Sequence, residues 1–318
     1  MTNKNLVSWV EKYLFFPTPF MQLISMVMLP LTLVYCLVIS FKRSTAKAKY
    51  FGIPIISIGN LLVGGTGKTP VTIALAKDRQ NVAVVLRGYG RVSKDMIVVS
   101  NGKKILCDDI KQTGDEAMLL ALALPNAVVI VSKDRKEAII KAKELGCKVI
   151  FLDDGFSKYD IEKYNILVRP AKEPTNIFCL PSGGYREPKI MYSTAHQVLL
   201  ENKDFKRVVR FKKDDNFVEE LPSNLVVITA ISKANRLLEF LPKDTVMELF
   251  EDHYFFTKDD IDNILKKYTN HNFITTQKDM VKLKQFDIPN LYLMDLQIEF
   301  SEDLDLSKID DYINLAYK

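Results

Sequence analysis

Residues 53–69 read I-P-I-I-S-I-G-N-L-L-V-G-G-T-G-K-T. A short apolar, β-branched run (53–58) leads into a glycine-rich turn that ends in Lys68-Thr69 and opens a helix predicted over 68–77. Strand, glycine turn, Lys-Thr, helix is the context of a phosphate-binding loop. Glycines let successive backbone N–H groups converge on phosphate oxygens, and the helix N-terminus adds partial positive charge. The residues of this loop are Gly64, Gly65, Thr66, Gly67, Lys68 and Thr69. Lys68 has the reach for the β- and γ-phosphates of ATP, and the Thr69 hydroxyl suits Mg²⁺. One position departs from the usual G-x-x-x-x-G-K-[ST] pattern: Leu62 stands where the first glycine belongs.

Outward from this loop the chain alternates. Apolar strands are predicted at 53–58, 82–86, 127–131 and 149–152, with helices at 68–77, 116–124 and 135–145. Short apolar strands separated by helices predict an α/β fold, a parallel P-loop-type sheet with helices on both faces. Residues 96–100 and 104–106 flank Asn101-Gly102, a strong hairpin signal. The Pro/Gly-rich stretch 180–188 reads as a long loop and the charged segment 203–220 as a connection. Alternation then resumes, with strands at 225–229, 246–250, 273–275 and 291–294 and helices from Lys233 and Lys258. The expected organisation is an N-terminal hydrophobic helix (1–49), a P-loop kinase domain (50–205) and a smaller α/β lobe (206–318).

Before the first strand lies F-M-Q-L-I-S-M-V-M-L-P-L-T-L-V-Y-C-L-V-I-S-F, residues 20–41, without a single charge. As one helix it would be roughly 33 Å long, about the thickness of a bilayer's hydrocarbon core. Lys42, Arg43, Lys47 and Lys49 follow at once, which by the positive-inside tendency puts the rest of the chain in the cytoplasm. The expectation is membrane association through this helix, at the cytoplasmic face of the inner membrane. A cleaved signal peptide fits less well, because the run is too long and its charges lie on the wrong side. A buried core helix is the other reading, and Gln22, Ser25 and Pro30 leave spanning and lying in the interface both open.

Composition narrows the partners. Of 318 residues, 47% are hydrophobic and 26% charged, an ordinary globular balance, and the net charge of +5 comes without the clustered basic and aromatic block of a nucleic-acid binder. Four scattered cysteines without a C-x-x-C pair argue against a disulfide framework or a zinc site. No obligatory protein partner is indicated.

Other residues carry possible chemistry. Residues 149–154, V-I-F-L-D-D, form an apolar strand ending in Asp153 and Asp154, where P-loop proteins keep a Mg²⁺-associated aspartate. Thr113-Gly114-Asp115-Glu116 precedes a helix and, by spacing alone, is equally a helix start with favourable first-turn acids. His253 is one of three histidines, and a lone histidine is more often structural than catalytic. Arg87 follows the second strand, at the sheet edge where ligands of such folds bind.

Taken together, S-I-G-N-L-L-V-G-G-T-G-K-T-P (57–70), L-R-G-Y-G-R (86–91), T-G-D-E-A (113–117), S-K-D-R (132–135), F-L-D-D-G-F (151–156), L-P-S-G-G-Y-R-E-P (180–188), E-D-H-Y-F-F (251–256) and T-T-Q-K-D-M-V-K-L (275–283) resemble the tetraacyldisaccharide 4′-kinases. These are the lipid A kinases of Gram-negative bacteria. The resemblance implies ATP and Mg²⁺ as cofactors and a lipid A disaccharide-1-phosphate precursor as acceptor at the membrane surface. It implies Asp115 as catalytic base with His253 paired to it, and Lys68 as the phosphate-loop lysine. Thr69, Glu116, Asp153 and Asp154 are then the residues near the metal, and Arg87, Arg135 and Arg186 contact phosphates or substrate. The family's phosphate loop also lacks the first glycine, which accounts for Leu62.

Four positions depart from the family pattern. Ser157 and Lys158 replace its usual Gln-His, Ala117 replaces Pro, and Gln277 replaces Glu. The rival reading is a P-loop GTPase or ATPase switch. A guanine-specific protein would show N-K-x-D late in the chain, and the nearest stretch here is Thr276-Gln277-Lys278-Asp279.

Overall fold

The computed structural model describes residues 3–214, 216–232 and 234–317, apart from the side chains of residues 3–5 and 7. In chain order the elements are α1 (Asn3–Phe15), α2 (Pro19–Val27), α3 (Leu29–Thr45), β1 (Ile55–Gly59), α4 (Lys68–Ala76), β2 (Val82–Leu86), β3 (Ile97–Asn101), α5 (Ile110–Thr113), α6 (Asp115–Ala123), β4 (Val128–Val131), α7 (Arg135–Glu144), β5 (Val149–Asp153) and β6 (Tyr164–Arg169). They continue with β7 (Gln197–Leu200), β8 (Phe205–Lys213), β9 (Asn216–Val218), β10 (Leu225–Thr229), β11 (Val246–Leu249), α8 (Lys258–Lys267), β12 (Asn272–Thr276), α9 (Gln277–Leu283), β13 (Leu291–Phe300) and α10 (Ser307–Leu315). The fold is mixed α/β with mainly parallel strand pairing, as the alternation predicts.

The chain divides into two compact units. One takes in the described residues up to Lys68, Asp154–Phe205, and those from Ser301 on. In it β1, β6 and β7 pair in parallel. The N-terminal helices belong to this unit, and the uncharged run is not one helix. It breaks at Met28 into α2 and α3, bent by 58°. Pro30 explains the break, because it lacks an N–H and its ring obstructs the preceding turn. Three polar residues of the run, Ser25, Thr32 and Tyr35, face protein. Thr32 Oγ1 donates to Ser182 Oγ (2.7 Å), Asn176 Nδ2 donates to Ser25 Oγ (3.2 Å), and Tyr35 donates to the Arg186 carbonyl (2.9 Å).

The other unit comprises Thr69–Asp153 and Lys206–Phe300. Its first half holds β3, β4, β2 and β5 side by side, with β2 parallel to β4 and β5 and β3 antiparallel to β4. Strands β2, β4 and β5 are buried along their whole length, which suits their valine and isoleucine content. Each such side chain contributes about 1.5–3 kcal/mol when fully buried. The Asn101-Gly102 turn forms, but its return arm is a single bridge, Ser100 to Ile105. Strand β3 takes β4 as its partner instead.

The second half of this unit is a sheet of order β11-β10-β12-β13-β8-β9. Along β10, Val226 and Ile228 enter one core cluster with Phe256, Ile264 and Phe273, while Leu225 and Val227 enter another with Ile274 and Met294. Alternation therefore buries both faces. Two readings are corrected here. The charged stretch 203–220 supplies β8 and β9, its basic heads paired with acids of β13, as in Lys212 to Asp295 (2.7 Å) and Lys206 to Glu299 (3.0 Å). The helix expected from Lys233, a position outside the described residues, is a 3-10 helix over Ala234–Phe240.

Candidate active site

The phosphate loop leaves β1 and enters α4. Gly64 and Gly67 take φ of +86° and +84°, the left-handed region that glycine enters without strain. Leu62 has a physical reason to be where a first glycine is usual. It is 3% exposed, packs with Phe15, Leu61 and Tyr185, and its backbone bridges to Tyr185. Residues 180–188 thus brace the loop, with Val63 N donating to the Gly184 carbonyl (2.9 Å) and Arg186 N to the Leu61 carbonyl (2.7 Å).

The same brace delivers Arg186. Its guanidinium binds Asp154 through both nitrogens (3.0 and 2.9 Å) and also reaches Asn60. Burial pulls Arg186 down, but the Asp154 carboxylate outweighs it and raises the net value. Lys68 Nζ donates to Asn60 Oδ1 (3.1 Å) and lies 3.7 Å from Asp154 Oδ1. Lysine, arginine and aspartate therefore converge at the mouth of the loop.

In the other unit, Thr69 Oγ1 donates to Asp153 Oδ2 (2.8 Å) and Thr72 Oγ1 to Asp153 Oδ1 (3.4 Å). A hydroxyl beside a carboxylate is the oxygen donor set Mg²⁺ takes. Burial raises the Glu116 carboxyl, and the nearby charge of Asp153 adds to it, a strain that a cation would relieve. Among the described residues, no group of three or more His, Cys, Asp or Glu could hold a metal unaided.

Asp115 is the first residue of α6, which packs against β3, β4 and α9. His253 sits in the turn after β11 with φ of +62°, the left-handed region that histidine enters more readily than most residues other than glycine. Its Nδ1 donates to the Asp115 carboxylate, 3.0 Å from each oxygen. Two lysines that the sequence reading did not single out complete the cluster. Lys278 Nζ and Lys282 Nζ lie 3.7 and 3.5 Å from Asp115 Oδ2. They stand four residues apart on α9, hence on one face of the helix. That spacing, inside the quoted stretch 275–283, was the signal available in the sequence.

Charge follows from this geometry. Burial pushes the Asp115 carboxyl up, but the His253 hydrogen bond and the charges of Lys278 and Lys282 win and lower it to about 2. The bond to Asp115 raises His253, with burial opposing. At neutral pH the pair is a carboxylate held against an imidazole biased toward its cation. Asp115 contributes stability above its ordinary 3.8, lost as pH falls toward about 2, and His253 contributes below its ordinary 6.5, lost as pH rises through its raised value. The pair's contribution is therefore complete between those two ordinary values. Removing a cation must raise Asp115, so Lys278→Ala should move the acid limb of kcat/KM to higher pH. The pH profile checks this, with carboxyl ¹³C titration as a second readout.

The remaining arginines are placed differently. Arg87 is exposed and lines a cavity with Arg91. Arg135 is 3% exposed and its Nη1 donates to the Ser132 carbonyl.

The family model described as LpxK, tetraacyldisaccharide-1-P 4′-kinase, matches residues 24–314. The chain belongs to this family. The tetraacyldisaccharide 4′-kinase of Aliarcobacter butzleri is 58% identical over 306 residues, 96% of this chain and 97% of that one. Those of Helicobacter pylori strain 26695 and Campylobacter jejuni strain 81-176 are each 41% identical, over 97% and 98% of this chain and 96% and 97% of theirs. Among solved structures, an LpxK from Aquifex aeolicus described as "apo" form in complex with ATP is similar at 25% identity, with a TM-score of 0.74, over 93% of this chain and all of that one. The family is one of kinases that act in making lipid A, and the switch reading is not favoured.

Proposed function

We propose that this kinase transfers the γ-phosphoryl group of ATP to the 4′-hydroxyl of a tetraacylated glucosamine disaccharide 1-phosphate, giving the 1,4′-bisphosphorylated lipid A precursor. The observation that carries the mechanism is the Asp115–His253 contact at 3.0 Å. The Asp115 carboxylate accepts the proton of the attacking hydroxyl, and His253, bound through Nδ1, orients the carboxylate. Lys278 and Lys282 keep Asp115 ionised before the acceptor arrives. Lys68 and the backbone N–H groups of residues 64–69 hold the phosphates of ATP, and Arg186 sets Asp154 beside Lys68. Thr69, Asp153 and Glu116 would hold Mg²⁺, which when bound supplies positive charge to the phosphate oxygens. Support for ATP comes from the loop itself and from the Aquifex aeolicus relative.

The acceptor's acyl chains belong in a bilayer, and the N-terminal helices suit that surface. Among the described residues no single helix is long and apolar enough to cross a membrane, while α2 and α3 as a bent pair are. Phe20, Leu23, Val27, Leu31, Leu37 and Phe41 are all more than half exposed. A patch of this kind marks an interaction site. In our reading this face dips into the cytoplasmic leaflet of the inner membrane, with Lys42 and Arg43 at the headgroups. The enzyme then searches a surface instead of a volume. The three-part organisation, helices before residue 50, kinase domain to 205 and α/β lobe beyond, is part of the same proposal.

The direct test incubates purified full-length protein with labelled ATP and the tetraacyldisaccharide 1-phosphate in detergent micelles. The expected product carries label at the 4′-position. Folded protein that makes none overturns the assignment.

A further inference from the structure

The stretch T-T-Q-K-D, residues 275–279, ends in an aspartate that the mechanism above does not use. Asp279 is the third residue of α9, a position where an acid often does no more than favour the helix start. Thr276 does cap this helix, its Oγ1 accepting from Asp279 N (3.3 Å). An acid serving only as a cap, however, sits at the surface and bonds within its own helix start. Asp279 is fully buried, and its bonds reach other elements. Its Oδ2 accepts from Thr229 Oγ1 (2.6 Å) and Ala230 N (3.1 Å) at the end of β10, and from Thr276 Oγ1 (3.0 Å). Its Oδ1 stands 3.1 Å from Lys282 Nζ. A buried carboxylate is costly unless it is paired and hydrogen-bonded, and one so fully met fixes its partners in place.

Two of those partners lead to the same turn. Ala230, whose N–H donates to Asp279, accepts through its carbonyl from His253 N (3.2 Å). Lys282 donates to the carbonyl of Tyr254, the residue after His253 (3.2 Å). Its Nζ also lies 5.6 Å from the centre of the Phe256 ring. The backbone on both sides of the His253 side chain is therefore tied to one buried carboxylate. That turn carries His253 at φ of +62° and aims its Nδ1 at Asp115, 3.0 Å away. Residues 64–69, which hold ATP in the kinase reading, are not members of this network.

We propose that Asp279 is a positioning residue of the kinase reaction, fixing the turn that carries His253 through Ala230 on one side and Lys282 on the other. This rests on the kinase reading above. Asp279 acts on the rate only through His253, whose imidazole it sets against the Asp115 carboxylate. A displacement of about 1 Å in such a constellation costs on the order of 10²-fold in rate.

The experiment measures kcat and both KM values, for ATP and for the tetraacyldisaccharide 1-phosphate, in Asp279→Ala and Asp279→Asn, each alone and with His253→Ala. Asp279→Ala should lower kcat by roughly 10- to 100-fold, with both KM values within about threefold. Asparagine can still accept from Ala230 N, so Asp279→Asn should keep part of the rate, and it keeps the test open if Asp279→Ala does not fold. In the His253→Ala background either change should cost less than about twofold more, because the residue being positioned is gone. A second readout needs no turnover. In protein labelled with ¹⁵N-histidine, the Nδ1 proton shared with Asp115 should give a signal that His253→Ala removes and Asp279→Ala weakens or abolishes.

Folded Asp279→Ala with wild-type kcat overturns the proposal. So does a loss of the same size with and without His253, which would make Asp279 a residue of the fold alone, and so does an unchanged Nδ1 signal. Wild-type protein that makes no product while the Nδ1 signal responds as expected is the failure of the kinase reading, not of the positioning.

Discussion

In Asp115→Asn, kcat falls by roughly 10²- to 10⁴-fold, the usual worth of a positioned general base, while KM for ATP stays within about twofold. Asparagine keeps the volume and can still accept from His253 Nδ1, so the turn that holds His253 survives. On the proposed mechanism, what is lost is the basic carboxylate oxygen that takes the proton. The carboxylate is 4% exposed and lowered to about 2, so it is ionised at neutral pH. A base this weak works because proton transfer need only follow bond formation to phosphorus, and because fixed cations spare it reorganisation. Steady-state kinetics with both substrates varied decide the point. A loss carried by KM for the lipid would make Asp115 a binding residue.

Lys282→Met should destabilise the protein by about 3–5 kcal/mol, the cost of breaking a buried ion pair by removing one partner. Lys282 is 2% exposed and Asp279, 3.1 Å away, is fully buried. Its ammonium also donates to the Tyr254 carbonyl (3.2 Å) and lies 3.5 Å from Asp115. Methionine fills the volume but leaves the buried Asp279 Oδ1 without its cation, while Asp115 keeps His253 and Lys278. Adding Asp279→Asn should recover part of the loss, since the carboxylate left without its cation is then neutral. Urea unfolding of the three proteins measures it, and a loss below about 1 kcal/mol, the level of a surface pair, would show that water reaches this cluster.

The two lysines mark where sequence reading stops. Lys68, Thr69 and Asp153 were legible because a glycine turn or a strand end fixes them locally. Asp115 and His253 lie 138 positions apart, and nothing in either segment's spacing calls for the other. Only the family resemblance paired them, and it carried no hint of Lys278 and Lys282 as their support. Strand β8 was hidden for a different reason. Its sequence, F-K-R-V-V-R-F-K-K, reads as solvated charge, yet long basic stems lie along a sheet while their heads reach Glu299 and Asp295. The bend at Met28 is half legible, since Pro30 marks a break while the uncharged run of bilayer length reads as one helix.

The central claim is that Asp115 and His253 act as one unit on the acceptor hydroxyl, and a double-mutant cycle on kcat tests it most directly. Asp115→Ala and His253→Ala should each lower kcat, and the double variant should be about as slow as Asp115→Ala alone. If the two losses multiply in the double variant, the residues act independently and the account of the pair is wrong.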